Sequence, residues 1–292
     1  MATRAPQFIT LEGIDGVGKS TQVRLLAEAL RRAGYDVLSL REPGGAKIAE
    51  RIRGILLDPA NTEMGDTCEL LLYEAARAQL VHQVIKPALA AGRTVVCDRF
   101  FDSTTAYQAY ADGIDPERVR MANRLAVDGC VPDVTLVLDM DVDAARARMA
   151  GRGGEDRMEA KGFAFQRRVA GGFRAIAEDE PGRVKLIDAA GSRREVFGRL
   201  MGALREVGVD VPPAVVEDTL AAETADEGDP STPGLRPSAQ DDKPAARPTA
   251  PVPPCHPERR AESAAFPSCH PERRAEGPES KDLPTPASSR EA

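Results

Sequence analysis

The sequence has no tryptophan, and aromatic residues make up only 4% of its 292 positions. This shortage is uneven, because the part after Pro212 has a single aromatic residue, Phe266, but 15 of the 23 prolines. Such a segment buries too little apolar surface to offset the entropy lost on ordering it. We therefore predict a folded domain at residues 1–211 and a disordered, proline-rich tail at residues 212–292.

Long apolar runs and a basic face are also missing. No stretch of about 20 apolar residues could cross a bilayer, and the N-terminus lacks the pattern of a secretory signal. The net charge of -7 disfavours a nucleic-acid partner, which would require a basic face to neutralise backbone phosphates. These features predict a cytoplasmic protein whose partners are small molecules, with neither nucleic acid nor membrane among them.

Histidine and cysteine are too sparse in the predicted domain for several kinds of catalytic site. His82 is the only histidine of the predicted domain, which disfavours a Ser-His-Asp triad and excludes a multi-histidine metal site there. We interpret His82 as a surface helix residue. Cys68, Cys97 and Cys130 are far apart in apolar or helical contexts, which predicts inert core thiols rather than a disulfide framework.

The tail contains an internal repeat, in which Cys255 to Glu262 recurs as Cys269 to Glu276. Two Cys-His pairs supply ligand types that zinc accepts. Their adjacent spacing matches no usual zinc framework, and no apolar residues surround them. We therefore interpret the repeat as a low-complexity extension, with zinc binding as the alternative.

Within the predicted domain, short apolar runs alternate with segments of helical periodicity. Gly34 favours the end of the first helix, and Gly92 the end of the third. Strands are predicted at 8–11, 36–40, 94–97, 134–138 and 184–187, and helices at 21–33, 48–57, 68–90, 116–128, 142–149 and 163–177. Because crossovers between parallel strands are right-handed, this alternation predicts an open α/β fold, with a five-stranded, mostly parallel sheet and helices on both faces.

The most informative motif is Gly-Ile-Asp-Gly-Val-Gly-Lys-Ser at 13–20, between the first predicted strand and the first predicted helix. It matches the phosphate-binding loop, in which backbone N–H groups surround phosphates, a lysine reaches the β- and γ-phosphates, and a hydroxyl ligates Mg²⁺. The alternative is an ordinary glycine turn. We predict a P-loop NTPase fold that binds ATP through Gly13, Ile14, Asp15, Gly16, Val17, Gly18, Lys19, Ser20 and Thr21.

An acid and a base stand side by side at the end of the third predicted strand. Asp98 is placed to hold Mg²⁺ or its waters, and Arg99 to bridge the transferring phosphoryl group, where negative charge develops. The alternative is a salt bridge that caps the strand. Ser20, Asp98 and Glu12 are the candidate metal ligands. No guanine-reading Asn-Lys-x-Asp motif follows, so a GTPase is disfavoured.

A glycine-broken, arginine-rich segment lies at 146–157. Its composition is typical of a mobile lid over phosphates. A solvated linker between two helices is the alternative.

Several further motifs resemble one family, the bacterial thymidylate kinases, over almost the whole predicted domain. They are Phe-Ile-Thr-Leu-Glu-Gly-Ile-Asp-Gly at 8–16, Arg-Glu-Pro-Gly-Gly at 41–45, Leu-Leu-Tyr-Glu-Ala-Ala-Arg-Ala-Gln at 71–79, Asp-Arg-Phe-Phe-Asp-Ser-Thr-Thr-Ala-Tyr-Gln at 98–108 and Pro-Asp-Val-Thr-Leu at 132–136. The resemblance implies phosphorylation of dTMP to dTDP by ATP with Mg²⁺, and a homodimer formed through the helices around 70–80 and 116–126.

The resemblance also implies a role for individual residues. Tyr73 would stack on thymine, Arg77 would donate to a base carbonyl, and Thr104 and Gln108 would read the remaining base edge. Tyr107 would lie against the sugar, where a 2′-hydroxyl would collide, and Asp15 would hold the 3′-hydroxyl or a magnesium water. Arg53 and Arg99 would clamp the monophosphate beside Pro43. Core aromatics and solvated helix charges are the alternatives for the tyrosines and for Arg53 and Arg77.

The sequence departs from the family pattern at a few positions. Tyr73 replaces the commoner Phe, Thr104 the commoner Ser, Leu80 a frequent His and Phe173 a frequent Tyr. Because Gly16 stands in the P-loop where an arginine would neutralise phosphate, that arginine is expected from the lid, with Arg152 and Arg157 as candidates. The predicted catalytic set is therefore Lys19, Arg99, Asp15, Arg152 and Arg157.

Two other functions remain as alternatives. One is a monophosphate kinase with a different base pocket, and the other is a nucleotide-binding regulatory module that transfers no phosphate. An acceptor panel separates the first from a thymidylate kinase, and acceptor-dependent ADP release separates the second.

Overall fold

Five parallel strands form the central sheet in the part of the chain that the computed structural model describes, residues 7–149 and 157–226. They are β1 (Phe8–Glu12), β2 (Val37–Arg41), β3 (Thr94–Asp98), β4 (Val134–Asp139) and β5 (Val184–Asp188). Their order across the sheet is β2-β3-β1-β4-β5, and each neighbouring pair is parallel. The predicted five-stranded parallel sheet is confirmed.

Helices cover both faces of this sheet. They are α1 (Lys19–Arg32), α2 (Lys47–Leu57), α3 (Asp66–Leu80), α4 (Lys86–Ala90), α5 (Phe101–Thr104), α6 (Pro116–Val127), α7 (Val142–Met149), α8 (Phe163–Asp179), α9 (Arg193–Glu206) and α10 (Pro213–Asp226). Side chains along a strand alternate between faces. Ile9 and Leu11 of β1 accordingly join one buried apolar cluster with α1, α8 and α9, whereas Phe8 joins a second cluster with α3 and α4.

The strand order places a binding site at the carboxyl end of β1. The connection after β1 runs to β2 on one side of the sheet, whereas the connection after its neighbour β4 runs to β5 on the other side. Open α/β sheets bind ligands at the carboxyl ends of strands at such a switch point. Leu11 is paired with Asp98 across the β1–β3 ladder, which brings the loop after each strand to the same edge.

The predicted helix at 68–90 is divided in the structure. α3 continues into a π-helical turn, Val81–Ile85, and then into α4. Pro87 has no N–H to donate to the preceding turn, so the regular α-helical ladder cannot run through it.

Two helices within the predicted domain, residues 1–211, were not predicted. α5 with its π-helical extension Thr105–Ala111 follows β3 directly. α9 begins at a capping box, in which the Ser192 side chain accepts from the Glu195 backbone and the Glu195 side chain accepts from Ser192. The Ser-x-x-Glu pattern was a signal that could have found α9.

The expectation that disorder begins at residue 212 is wrong for the first residues of the tail, because 213–226 form α10. This helix packs against α1, with Leu220 buried. The Glu223 carboxylate, also buried, pairs with Arg24 of α1 and with Arg193 of α9 at 3.1 Å. Leu220, the partly buried Val215 and Val216, and three cross-helix charges therefore dock a segment of low overall apolar content. Residues 227–292, including the Cys-His repeat, lie outside the described residues.

Truncating Leu220 should loosen this docked helix. We expect Leu220→Ala to lower the free energy of unfolding by about 2 kcal/mol, the low end for a buried leucine, because α10 is a peripheral helix that relaxes around the gap. Urea denaturation monitored by circular dichroism measures the effect. Asp218→Ala, an exposed position on the same helix, is the matched control, and an equal loss in both variants would contradict the docking of Leu220.

The cysteines and the histidine only partly match expectation. Cys97 and Cys130 are buried, as predicted, and His82 is exposed on its helix. Cys68 is exposed near the start of α3, so its assignment to the core was wrong. In the described ranges, no helix is both long and apolar enough to cross a membrane.

Candidate active site

The loop between β1 and α1 approaches neighbouring backbone so closely that only glycine fits at two positions. Gly13 has φ +134°, and a Cβ there would lie 2.5 Å from the Leu138 carbonyl oxygen. Gly16 has φ +84°, and its Cβ would lie 2.2 Å from the carbonyl oxygen of Ala145 in α7. Ile14 and Val17 are buried, so they anchor the loop and can offer only backbone groups to a ligand. The loop is thus a cradle for phosphates, as the motif predicts.

Lys19 begins α1 and projects back across the loop. Its Nζ donates to the Ile14 carbonyl at 2.8 Å and lies 3.6 Å from Asp15 Oδ1. Burial and the neighbouring Arg99 lower the pKa of Lys19 to about 8. The carboxylates of Asp15, Asp98 and Glu12 raise this pKa but do not outweigh the lowering. A positive charge held at the N-terminus of a helix is suited to bind anionic oxygen.

Ser20 and Asp98 form a pair of oxygen ligands beside this cradle. The Ser20 hydroxyl donates to Asp98 Oδ2 at 3.0 Å, and both residues line the cleft. Within residues 7–149 and 157–226, no group of three or more His, Cys, Asp or Glu residues could hold a metal ion. One or two protein oxygens suit Mg²⁺, which keeps waters and takes its other ligands from phosphates.

Arg99 crosses from the end of β3 to the P-loop. It adopts φ +69°, a left-handed conformation that is uncommon for a residue other than glycine. Its Nη1 donates to the Gly13 carbonyl and to Ser103 Oγ, each at 3.1 Å, and its Nη2 pairs with Asp15. Although burial alone would raise the pKa of Asp15, Arg99 and Lys19 together hold it below its ordinary value.

Ser103 is a site residue that the sequence reasoning missed as a separate position. Besides Arg99, its hydroxyl contacts Glu12 Oε2 at 2.5 Å. Its place four residues after Arg99 was the available signal, since a helical turn after a strand-end arginine brings that position back to it.

The prediction that Glu12 is a metal ligand is wrong. Glu12 is fully buried, and its Oε1 accepts from the backbone N–H groups of Phe100, at 2.6 Å, and Ser103, at 3.2 Å. Its Oε2 accepts from the Ser103 hydroxyl, and Glu12 is not among the residues that line the cleft. Its carboxyl instead shapes the turn that carries Arg99.

Because Glu12 is buried, its pKa rises from 4.5 to about 7, with a smaller contribution from Asp102 and opposition from Arg99 and the hydrogen bonds. A raised folded-state pKa adds stability that is fully present below pH 4.5 and lost as the pH rises through 7. Glutamine does not ionise, so the stability of Glu12→Gln lacks this dependence on pH. The wild-type free energy of unfolding minus that of Glu12→Gln should therefore fall between pH 4.5 and 7, by on the order of 3 kcal/mol. Denaturant titrations across this range measure it, and a flat difference would contradict the assignment.

A single cleft of about 320 Å³ connects the P-loop with α3 and α5. At one end lie the loop, the Ser20–Asp98 pair and Arg99. At the other end lie the Tyr73 ring, the Arg77 guanidinium, the Gln108 amide and the Thr104 hydroxyl. The lining residues include Asp15, Gly16, Gly18, Lys19, Ser20, Thr21, Pro43, Arg53, Tyr73, Arg77, Asp98, Arg99, Ser103, Thr104, Tyr107 and Gln108. The structure therefore brings together the predicted substrate-binding residues and most of the P-loop.

Arg77 is buried and largely occupied by partners inside the protein. Its Nε donates to Glu42 at 2.8 Å, Nη1 to Glu74 and Asn123, and Nη2 to the Phe100 carbonyl at 3.2 Å. A guanidinium has five N–H groups, so one Nη2 hydrogen has no acceptor among the described residues. The alternative of a solvated helix charge is wrong for Arg77, and a single directed donor is left at the cleft.

The two predicted substrate tyrosines differ in burial. Tyr73 is half-buried on α3, at the wall of the cleft. Tyr107 is buried in the core against Phe165 and Phe173, with ring centroids 5.9 and 6.3 Å away, and still reaches the cleft lining. In the described part of the chain its hydroxyl is a buried group without a hydrogen-bond partner, which a bound ligand could supply.

Thr104 and Gln108 lie one turn apart, and both are buried at the cleft wall. Gln108 Nε2 donates to Glu69 Oε1 at 2.8 Å. Pro43 and Arg53 lie at another wall, where Arg53 Nη1 donates to the Pro43 carbonyl at 2.9 Å. Glu69 and Glu42 are buried partners of cleft residues that the sequence reasoning did not single out.

One of the two candidate lid arginines, Arg157, lies among the described residues. Arg157 pairs with Glu69, and its Nε donates to the Leu56 carbonyl at 2.8 Å. It is absent from the cleft lining, because a buried carboxylate holds it in this arrangement; its catalytic role stays a prediction. Arg152 lies outside the described residues.

A parallel sheet with a phosphate cradle at its switch point, and a base-sized pocket across one cleft from it, defines a phosphotransferase of the P-loop class. The thymidylate kinase family model matches residues 11–199. The thymidylate kinase of Rhizorhabdus wittichii is 51% identical over 203 residues, spanning 69% of this chain and 98% of that protein. That of Trichlorobacter lovleyi is 46% identical over 203 residues, spanning 68% and 96%.

A solved structure agrees with these sequences. The crystal structure of thymidylate kinase from Ehrlichia chaffeensis is 34% identical, with a TM-score of 0.57, over 69% of this chain and 99% of that one. The chain belongs to the thymidylate kinase family, and it is a kinase. The family-model match ends at residue 199, within α9 and before α10.

Proposed function

We propose that the protein transfers the γ-phosphoryl group of ATP to the 5′-phosphate of dTMP, giving ADP and dTDP, by in-line displacement without a covalent intermediate. The observation that carries this proposal is the single cleft, which joins the phosphate cradle to the pocket of Tyr73, Arg77 and Gln108. Two nucleotides bound end to end in it would place their phosphates beside Lys19 and Arg99. Such catalysis consists of positioning and charge neutralisation.

At the ATP end, the backbone of residues 13–21 would surround the β- and γ-phosphates, with Lys19 neutralising them. Ser20 and Asp98 would hold Mg²⁺, directly or through its waters, and the bound ion would supply a charge that draws the phosphates into one geometry. Arg99 would bridge donor and acceptor phosphates, because its guanidinium already spans the P-loop and β3.

At the dTMP end, Tyr73 would stack on the base, and the one unused Nη2 hydrogen of Arg77 would reach a base carbonyl. Thr104 and Gln108 would read the remaining edge. Tyr107 would lie against the sugar and exclude a 2′-hydroxyl, while Asp15 would accept from the 3′-hydroxyl or a magnesium water. Arg53, beside Pro43, would bind the monophosphate together with Arg99.

The lid predicted at 146–157, of which residues 150–156 lie outside the described residues, remains part of the proposal: it would exclude water that would otherwise hydrolyse ATP. Since Arg157 is held by Glu69, we propose Arg152 as the lid arginine that neutralises the transferring group.

We further propose a cytoplasmic homodimer, acting where ATP is supplied. Leu71 of α3 is 58% exposed, and Met121 and Leu125 of the neighbouring α6 are 58% and 84% exposed. Large apolar side chains exposed together on adjacent helices favour a protein contact.

Coupled ADP release tests the function directly. The acceptors to compare are dTMP, dUMP, dCMP, dGMP, the 2′-hydroxyl analogue of dTMP, and none. We expect release to depend on acceptor and to be fastest with dTMP. Preference for dCMP or dGMP would indicate a different monophosphate kinase, and MgATP binding without acceptor-dependent release would indicate a regulatory module.

A further inference from the structure

Glu69 is a buried carboxylate that lies where three parts of the fold meet. Only 1% of its side chain is exposed. Its Oε1 accepts from Gln108 Nε2 at 2.8 Å and from Lys161 Nζ at 3.0 Å, while Oε2 pairs with Arg157. Gln108 belongs to the cleft wall, Arg157 is the last residue of the arginine-rich segment, and Lys161 follows that segment.

Its cationic neighbours keep this carboxylate ionised. Burial alone would raise the pKa of Glu69, but Lys161 and Arg157 outweigh burial and hold the pKa below its ordinary value. An ionised carboxylate can accept hydrogen bonds but cannot donate one.

The ionised carboxylate determines which way the Gln108 amide faces. An amide has an NH₂ group that donates and an oxygen that accepts, and only the NH₂ group can bond to Glu69. The Gln108 oxygen must therefore point elsewhere. Gln108 lines the cleft, and no donor in the described ranges reaches its Oε1. The amide thus has an unused acceptor at the cleft.

We propose that Glu69 is a positioning residue for base specificity: by accepting from the NH₂ group of Gln108, it makes Gln108 present only an acceptor to the base. This inference rests on the proposed function, because it assumes that the base of the acceptor nucleotide lies in this pocket.

The resulting pattern distinguishes thymine from cytosine. Thymine has a donor at N3 beside an acceptor at O4, whereas cytosine has an acceptor at N3 beside a donor at N4. Gln108 held as an acceptor matches N3–H of thymine, and Arg77, which can only donate, matches O4. With cytosine, the Gln108 oxygen would face the N3 acceptor, and the Arg77 donor would face the N4 donor. A pocket with such unpaired groups rejects a substrate strongly.

Glu69→Gln tests the proposal, because glutamine is nearly the same size but can either accept or donate. Gln108 can then turn either group toward the base. We expect the ratio of kcat/KM for dTMP to that for dCMP to fall about tenfold, the effect of losing one buried hydrogen bond. For dTMP the loss should appear mainly in KM, since the phosphates and their ligands are untouched.

Two variants separate amide orientation from general loosening. Glu69→Asp keeps an acceptor-only group and should retain most of the discrimination ratio. Asp112→Asn alters the same cluster, because Asp112 pairs with Lys161 at 2.9 Å, but the Asp112 side chain has no hydrogen bond to Gln108 among the described residues. Asp112→Asn should leave the ratio of kcat/KM for dTMP to that for dCMP unchanged.

The outcomes distinguish this inference from the proposed function. Wild-type protein that phosphorylates no dTMP overturns the function itself. If the wild type is active, a wild-type ratio in Glu69→Gln, or an equal fall in Asp112→Asn, overturns the role of Glu69.

One measurement does not depend on how the variants fold. The side-chain amide protons of Gln108 in the unmutated chain, followed by NMR, should exchange slowly with and without dTMP. Exchange at the rate of a free amide would overturn the proposed orientation.

Discussion

Replacing Arg99 with alanine is expected to lower kcat for dTMP phosphorylation by about 10³, comparable to the loss of an arginine finger. The guanidinium contacts the Gly13 carbonyl, Ser103 and Asp15, so it lies between the P-loop and β3 with its charge aimed at the cleft. Negative charge that develops on the transferring phosphoryl group would lose its nearest fixed cation. Steady-state kinetics with saturating ATP and dTMP measure the effect.

Two further variants show whether this loss is specific. Arg174 also pairs with a carboxylate, that of Asp139, but does not line the cleft, so Arg174→Ala should turn over near the wild-type rate. Arg99→Lys keeps a charge without the two-pronged guanidinium and should fall between wild type and Arg99→Ala. Near-normal turnover of Arg99→Ala would remove Arg99 from the mechanism.

Replacing Lys19 with alanine is expected to lower kcat by about 10²–10³, the usual effect of removing one preorganised donor to developing charge. Lys19 Nζ already rests against the Ile14 carbonyl inside the loop, so it needs little rearrangement to meet a phosphate. The loss should appear in kcat as well as in KM for ATP, because the interaction strengthens as the phosphoryl group moves.

Lys185→Ala is the matched control for Lys19. Lys185 lies on the edge strand β5, which β4 separates from β1, and donates to the Pro181 carbonyl at 2.7 Å. It does not line the cleft. An equal loss in both variants, or an unchanged kcat in Lys19→Ala, would contradict the proposed role of Lys19.

The sheet and the phosphate cradle could be predicted because their signals are local. Each strand is a short apolar run, and the glycines at 13, 16 and 18 have one physical reason, a backbone that must turn with positive φ. α10 could not be predicted in the same way. Its docking depends on Leu220 and on the pairing of Glu223 with two arginines distant in the sequence.

The departures at the site have another cause, which is competition among charged partners. Glu12 was assigned to a metal because it stands beside the P-loop, yet the N–H groups of the β3–α5 turn occupy its oxygens. Arg157 was assigned to phosphate because it belongs to an arginine-rich segment, yet in the structure it forms an ion pair with Glu69. Spacing along the chain indicates which residues can reach a site, but only the packed structure shows which partner each one takes.

The most direct measurement of the central claim follows the phosphate itself. The purified chain is incubated with dTMP and with ATP labelled in its γ-phosphate, and the nucleotides are separated. We predict that the label moves to the β-phosphate of dTDP, that transfer requires dTMP, and that Arg99→Ala slows it about 10³-fold. Binding of ATP with the label retained, or released only as inorganic phosphate, would contradict the account.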